Sequence, residues 1–303
     1  MKAKVLIRVA AQSITKNAMR TLLTMLGIII GVGAVIMMVA IGAGAQAQIE
    51  RQVQGLGTNM IVVTPGAATT GGVSQGAQTF NRLTIDDVEA LDKQSFLLSA
   101  VSPVIVTFGQ IVGGAGNWRS PINGVDVDYA TIRDWPMDSG TFFDVADVES
   151  MRKVAVLGQT VANSLFPNGD AVGQQLRVRN VPFTVIGVLS AKGQTAGGSD
   201  QDDIILAPYT TIQTRLSGRM FVPQILASTF TPGDIPAAQD EIRSILRDAH
   251  GLAPNEADDF EIRNQTDIAE AAQSTTEIMT LLLSAIAGIS LLVGGIGIMN
   301  IML

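Results

Sequence analysis

Few residues in this chain could do covalent chemistry. There is one histidine, His250, and no cysteine, so thiolate nucleophiles, disulfides and cysteine metal sites are excluded. A hydrolase triad would have to use His250, and no G-x-S-x-G stands near a strand-to-helix turn to supply its serine. His250 instead sits beside Gly251 at the end of an apolar-periodic stretch, which predicts a solvent-exposed helix cap. Carboxylates cluster as Asp200, Asp202 and Asp203 in "GGSDQDD". A calcium-binding EF-hand loop needs glycine at its sixth position and glutamate at its twelfth; this stretch has neither, and it reads as a solvated turn before the strand "IILAP". No G-x-x-x-x-G-K-[ST] occurs, so the phosphate-cradling loop for ATP is missing. Expected catalytic residues, metal ligands and bound cofactors are therefore none.

Small residues carry more information. Gly27 and Gly31 form a G-x-x-x-G, while Ser284 with Gly288 and Ser290 with Gly294 repeat the spacing. In lipid, helices associate by close packing, and small side chains let backbones approach. All six lie in two stretches without charge, residues 21–45 and 278–303, each long enough for a helix to cross a hydrocarbon core of roughly 30 Å. The first could be a signal peptide with "AGAQA" as its cleavage site, but its apolar run exceeds the usual length and a retained anchor is expected. Neither stretch holds an ionisable side chain, which argues against a proton or ion pathway within them.

Charge sets the expected orientation. Lys2, Lys4, Arg8, Lys16 and Arg20 precede the first apolar stretch without an acidic residue, placing the N-terminus in the cytoplasm and the central region outside. Residues 1–20 read as a basic amphipathic helix, with Lys4, Arg8, Lys16 and Arg20 available to the membrane surface or to a cytoplasmic partner. The central region holds all 27 acidic residues against 15 basic ones, a net charge of −12. Such a surface repels polyanions, and no nucleic-acid partner is expected.

The central region reads as two similar β-α-β units around a different middle. In residues 46–106, "NMIVV" leads to a helix capped by Thr84 and Asp87 and then to the strand "AVSPVIV". In residues 223–277, "QILASTF" precedes a helix with Pro236 in its first turn and Gly251 at its end, with "DFEIR" after it. Between them, residues 107–222 show short strands such as "KVAVLG", "QQLRVRN", "PFTVIGVL" and "DDIILAP", with a helix at "QTVANSLF". The expected fold class is an α+β membrane protein: two transmembrane helices flank an extracytoplasmic domain of two β-α-β units with an inserted, mostly β lobe.

Several blocks resemble the MacB-type permeases of ATP-binding-cassette exporters, and through them the FtsX and lipoprotein-releasing permeases. They are "RTLLTMLGIIIGVGAVIMMVAIGAGA", "INGVDVDYATIRDWPMDSGTFF", "VAVLGQTVANSLFPNGDAVGQQLRVRNVPFTVIGVL", "GSDQDDIILAPYTTIQTRLSG" and the closing "GGIGIMNIML". The resemblance implies a porter-like subdomain built from the α/β units, a homodimer in the bacterial inner membrane, and a periplasmic or extracellular central domain. It further implies ATP hydrolysis on a partner ATPase, and export through a periplasmic adaptor and an outer-membrane channel. The cargo would be a macrolide-like drug, peptide or lipid. No fused ATPase domain is present, and the chain closes inside the second span where family members have four, so a separate ATPase and a truncated chain are expected. Alternatives are a lipoprotein-releasing or cell-division permease, and a membrane-anchored ligand sensor.

Overall fold

The computed structural model describes residues 59–66 and 83–264 apart from 115, 168, 196–197 and 219–220, together with 69–70, 73–74, 267 and scattered helical positions within 18–44 and 278–299. The chain divides into two compact units, one of residues 51–268 and one of residues 1–50 with 269–303.

In the first unit, strand β1 (Met60–Pro65) leads to helix α1 (Ile85–Gln94) and strand β2 (Leu98–Gly113). Near its end, β9 (Gln224–Thr229), α6 (Ile235–His250) and β10 (Phe260–Asn264) repeat that order. The two β-α-β units interlock rather than stand side by side. Their sheet runs β10-β1-β9-β2 with every neighbour antiparallel, so each unit inserts a strand between the other's pair. This is the split β-α-β arrangement of ferredoxin-like sheets.

Local chemistry accounts for the helices. Asp87 accepts from the Thr84 amide at 2.7 Å and from its hydroxyl at 3.0 Å, which fixes the first turn of α1. In α6, Ala238, Ile242, Ile245 and Leu246 fall on one face and are buried, and Gly251 ends the helix at φ 63°, a conformation that costs glycine little. Both helices cover one side of the sheet, where Ile61, Val63, Val101, Ile225 and Ala227 meet them. The other side is also buried: Met60, Val62, Val104 and Leu226 pack against Tyr129, Ile132 and Trp135. Burial on both faces explains why β1 is a continuous apolar run rather than an alternating one.

The lobe grows out of β2. Its first half pairs with β9 and its second half, from Ile105, pairs with β3 (Gly116–Val125). A boundary after residue 106 therefore falls inside one unbroken strand. Beyond β3 come the short helices α2 (Tyr129–Ile132) and α3 (Val145–Glu149), strands β4 (Met137–Gly140) and β5 (Val154–Leu157), and α4 (Gln159–Leu165). Strands β6 (Gln175–Val178), β7 (Val181–Leu189) and β8 (Ile205–Pro208) and helix α5 (Tyr209–Ile212) complete it. The same sheet continues as β2-β3-β8-β5-β7-β4, with β6 bridging β2 and β7 and with parallel pairings at β3/β8 and β5/β7. Helix α5 lies tight on β3, where a Cβ on Gly124 would come within 2.8 Å of the Ile212 Cβ.

Candidate functional site

The chain enters and leaves the four-stranded sheet at one end, where side-chain hydrogen bonds gather. Asn59, just before β1, exchanges hydrogen bonds with Thr229 at the end of β9: its amide side chain donates to the Thr229 carbonyl at 3.3 Å, and the Thr229 N–H donates to the Asn59 carbonyl at 3.2 Å. Ile61 pairs with Asn264, the last residue of β10, so entry and exit are neighbours on adjacent strands. Asn264 is in turn locked to Asp267 and to α6. Its N–H donates to Asp267 at 3.0 Å, the Asp267 N–H donates back to its side chain at 2.7 Å, and its amide donates to Gln239 of α6 at 3.3 Å. At the same end Glu241 of α6 accepts from the Ser95 hydroxyl and from the Phe96 and Leu97 amides, tying down the loop between α1 and β2. Residues 59 and 264 thus share one hydrogen-bonded base.

At the opposite end of the helices His250 is not the exposed cap its position beside Gly251 suggests. Its side chain is buried, with Nδ1 2.7 Å from Asp259 and Nε2 3.3 Å from Asp87, and its ring stands edge-on to Phe260. The Asp87 carboxylate beside Nε2 is the main cause that raises its pKa to about 9, with burial opposing and Asp259 adding to the rise. Burial works to raise the Asp87 carboxyl, but hydrogen bonds from His250 and Thr84 outweigh it and hold the group below its usual range. Helix dipoles favour the arrangement, since the carboxylate lies in the first turn of α1 and the imidazolium at the end of α6. The correction has a simple cause: spacing along α6 locates the histidine, but only the tertiary fold brings two carboxylates to it.

The acidic turn is exposed at Asp200, as its composition predicts, and anchored at Asp202. Asp202 is buried and accepts from the backbone N–H groups of Lys192 and Gly193, both at 2.8 Å. Asp200 accepts from the Thr160 hydroxyl at 2.6 Å, and Asp203 from the Trp118 indole at 2.8 Å. Asp200 and Asp203 fasten the loop to α4 and β3, and Asp202 closes it on itself. Nearby, Lys192 donates to the Arg133 carbonyl at 2.6 Å over the Trp135 ring. Burial, followed by repulsion from Arg133, lowers its pKa to about 8. Among the described residues no three histidine, aspartate or glutamate side chains are placed to hold a metal.

Of the residues expected to pack spans, Gly27, Gly31, Ser290 and Gly294 lie outside the described residues, as do Lys4, Arg8, Lys16 and Arg20. Ser284 and Gly288 are helical, and the Ser284 hydroxyl donates to the Met38 sulfur at 3.2 Å, joining the two apolar stretches. Among the described residues no helix is long and apolar enough to cross a membrane.

An interlocked β-α-β sheet extended by a β lobe is a fold shared with two solved domains of transporter proteins. The periplasmic region of MacB from Actinobacillus actinomycetemcomitans matches 74% of this chain and 96% of its own at a TM-score of 0.60 and 24% identity. The extracellular domain of the ABC-type transporter YknZ from Gram-positive bacteria matches 68% of this chain and all of its own at 0.54 and 18%. Residues 21–245 match the MacB-like periplasmic core domain, and the chain belongs to that family. It is 44% identical over 299 residues to the macrolide export ATP-binding/permease protein MacB of Rhodospirillum rubrum, covering 98% of this chain and 44% of that protein. With the protein of the same name from Azoarcus it shares 40% over 296 residues, again covering 98% and 44%. The chain therefore spans less than half the length of these curated relatives.

Proposed function

We propose that this chain is the membrane-anchoring and extracytoplasmic part of an ABC-type exporter permease, transmitting ATP-driven motion to a domain outside the bacterial inner membrane. The observation that carries this reading is the pairing of Ile61 with Asn264, which sets the two connections to the apolar stretches side by side on one hydrogen-bonded base. A relative shift of two flanking transmembrane helices would then move the sheet, and with it the lobe grown from β2, as one body. ATP would be bound and hydrolysed outside these residues, which hold no nucleotide-binding loop, and a partner ATPase is the form proposed here; the relatives' name joins ATP-binding to permease. A homodimer, a periplasmic adaptor and an outer-membrane channel complete the proposed assembly. Macrolides, named in the relatives, are the first cargo to test, with peptides and lipids next.

The test is reconstitution of the full-length protein with its ATPase in lipid. ATP turnover should rise when the permease is present, and expression of both in a macrolide-sensitive strain should raise resistance several-fold. Unchanged ATP turnover together with unchanged resistance overturns the reading.

A further inference from the structure

The turn between β6 and β7 consists of Arg179 and Asn180, both at positive φ, 44° and 74°. Two-residue hairpin turns of this hand favour asparagine or glycine, so arginine at the first position is the costly choice. Its guanidinium is held along β2, donating to the Phe108 carbonyl and, at 3.2 Å, to the Leu216 carbonyl. Neutral acceptors thereby occupy part of its fork of five N–H groups, and its charge meets no carboxylate among the described residues.

Arg179 walls a hollow of about 550 Å³ together with Phe108, Gln110, Asn117 and Arg119. Register builds it: Gln110 stands opposite Arg119 and Val112 opposite Asn117 across β2 and β3, and the pairing of Ile111 with Val178 brings the β6 turn beside Gln110. Alternation decides which side chains it receives. Ile111 is buried in the core, and a Cβ on Gly109 would meet Ile122 and Val178 there, so Phe108 and Gln110 face the other way, Phe108 with 55% exposure. Arg119 is exposed and makes no hydrogen bond or ion pair among the described residues. At the edge, Trp118 is fixed by its indole N–H, which donates to Asp203 at 2.8 Å. Residues 93–125 and 171–199, which supply β2, β3, β6 and β7, hold five basic side chains and no acidic one, although the chain as a whole carries −7.

We propose that the hollow binds a small organic anion in which a carboxylate, sulfonate or phosphate is carried on a flat apolar ring. Arg119 and the remaining N–H groups of Arg179 take the anionic group, since planar guanidinium forks match its oxygens. Phe108 takes the ring, and the amides of Gln110 and Asn117 serve polar atoms at its margin. The volume falls within the range of small-molecule pockets, roughly 300–1,000 Å³, and leaves room for one ring system with its acid group. A neutral or cationic ligand of the same shape would leave the two guanidinium groups unopposed. Such an anion would bind whether or not it is exported.

The probe is a fluoronaphthoate, followed by fluorine NMR line width against the full-length protein in lipid nanodiscs, with empty nanodiscs as the blank. Saturable binding above the blank is expected, about tenfold tighter than that of the matching fluoronaphthamide, which keeps the ring and lacks the charge. Arg119→Gln should weaken it several-fold and Arg119→Lys less. Lys93→Gln, which removes the same charge from α1, should change it little. Arg119 makes no hydrogen bond among the described residues, so its variants leave the fold intact. Binding to the unaltered protein should weaken several-fold from low to high salt, a readout that needs no variant. No saturable binding above the blank, equal affinity for the amide, or an R119Q affinity no lower than that of K93Q overturns the proposal. None of these readouts requires ATP turnover, so failure here is distinct from failure of the exporter reading.

Discussion

Nδ1 of His250 lies 2.7 Å from Oδ1 of Asp259, deep enough that the imidazole side chain keeps only 7% of its exposure. With Asp87 on its other nitrogen, the histidine is a cation in the fold and ties α6 to the first turn of α1. Its pKa is raised from 6.5 to about 9, so the stability it contributes is fully present below pH 6.5 and is lost as pH rises through about 9. The Asp87 carboxyl, held below 3.8, contributes stability that is present above that value and lost on further acidification. The urea midpoint of residues 51–268 should therefore decline from pH 6.5 to 9.

Replacing His250 with glutamine removes the charge while keeping some hydrogen bonding, and leaves Asp87 and Asp259 facing each other without a cation. A loss of about 2 kcal/mol at neutral pH is expected, from charge-assisted hydrogen bonds of this kind. The alkaline decline should flatten in the same variant. A decline that persisted in H250Q would assign it to another group.

Asp202 makes a different kind of anchor. Both of its carboxylate oxygens receive backbone N–H donors from the loop that precedes it. Asp202→Ala takes the partner from those partly buried donors and should cost about 1–2 kcal/mol in denaturant unfolding. Protease cleavage near Lys192 should speed up with it, whereas Asp203→Ala, which loses only the exposed Trp118 contact, should do much less.

Gly124 is a packing requirement rather than a turn. An added Cβ would meet the Ile212 Cβ at 2.8 Å and the Tyr209 Cα at 3.0 Å, both in α5, where backbone must shift to yield. Gly124→Ala should destabilise the domain by about 1–3 kcal/mol, the usual range for overpacking. Gly116, whose Cβ would meet nothing, should accept alanine with little change in melting temperature.

Most of the elements are legible along the chain because local signals reinforce one another. The Thr84–Asp87 capping pair marks the start of α1, and the Ala238, Ile242, Ile245 spacing with Gly251 marks the run of α6. Strand β3 carries no such signal, because "GNWRSPINGV" mixes glycine, proline and arginine; its pairing with β2 and β8 holds it as a strand. The interlocking of the β-α-β units is equally silent in sequence, since it depends on which strand pairs with which. The same holds for the His250 cluster, in which Asp87 and His250 lie far apart in the chain and meet only in the fold. Pairing partners far apart in the chain leave no local trace.

The apolar stretches provide a final expectation. Ser284 meets Met38, so the two stretches touch at a small residue, as close packing in lipid favours. Gly27 and Gly31 are proposed to present a second small-residue surface, the one used between copies. Gly27→Leu with Gly31→Leu should then reduce dimer crosslinking of the full-length protein in membranes severalfold, while residues 51–268 keep their protease resistance. Substitution at Ser284 should not reproduce that loss, because its hydroxyl already faces Met38 of the same chain. Equal dimer yield in the glycine double variant would move the contact between copies away from this stretch and onto the domain outside.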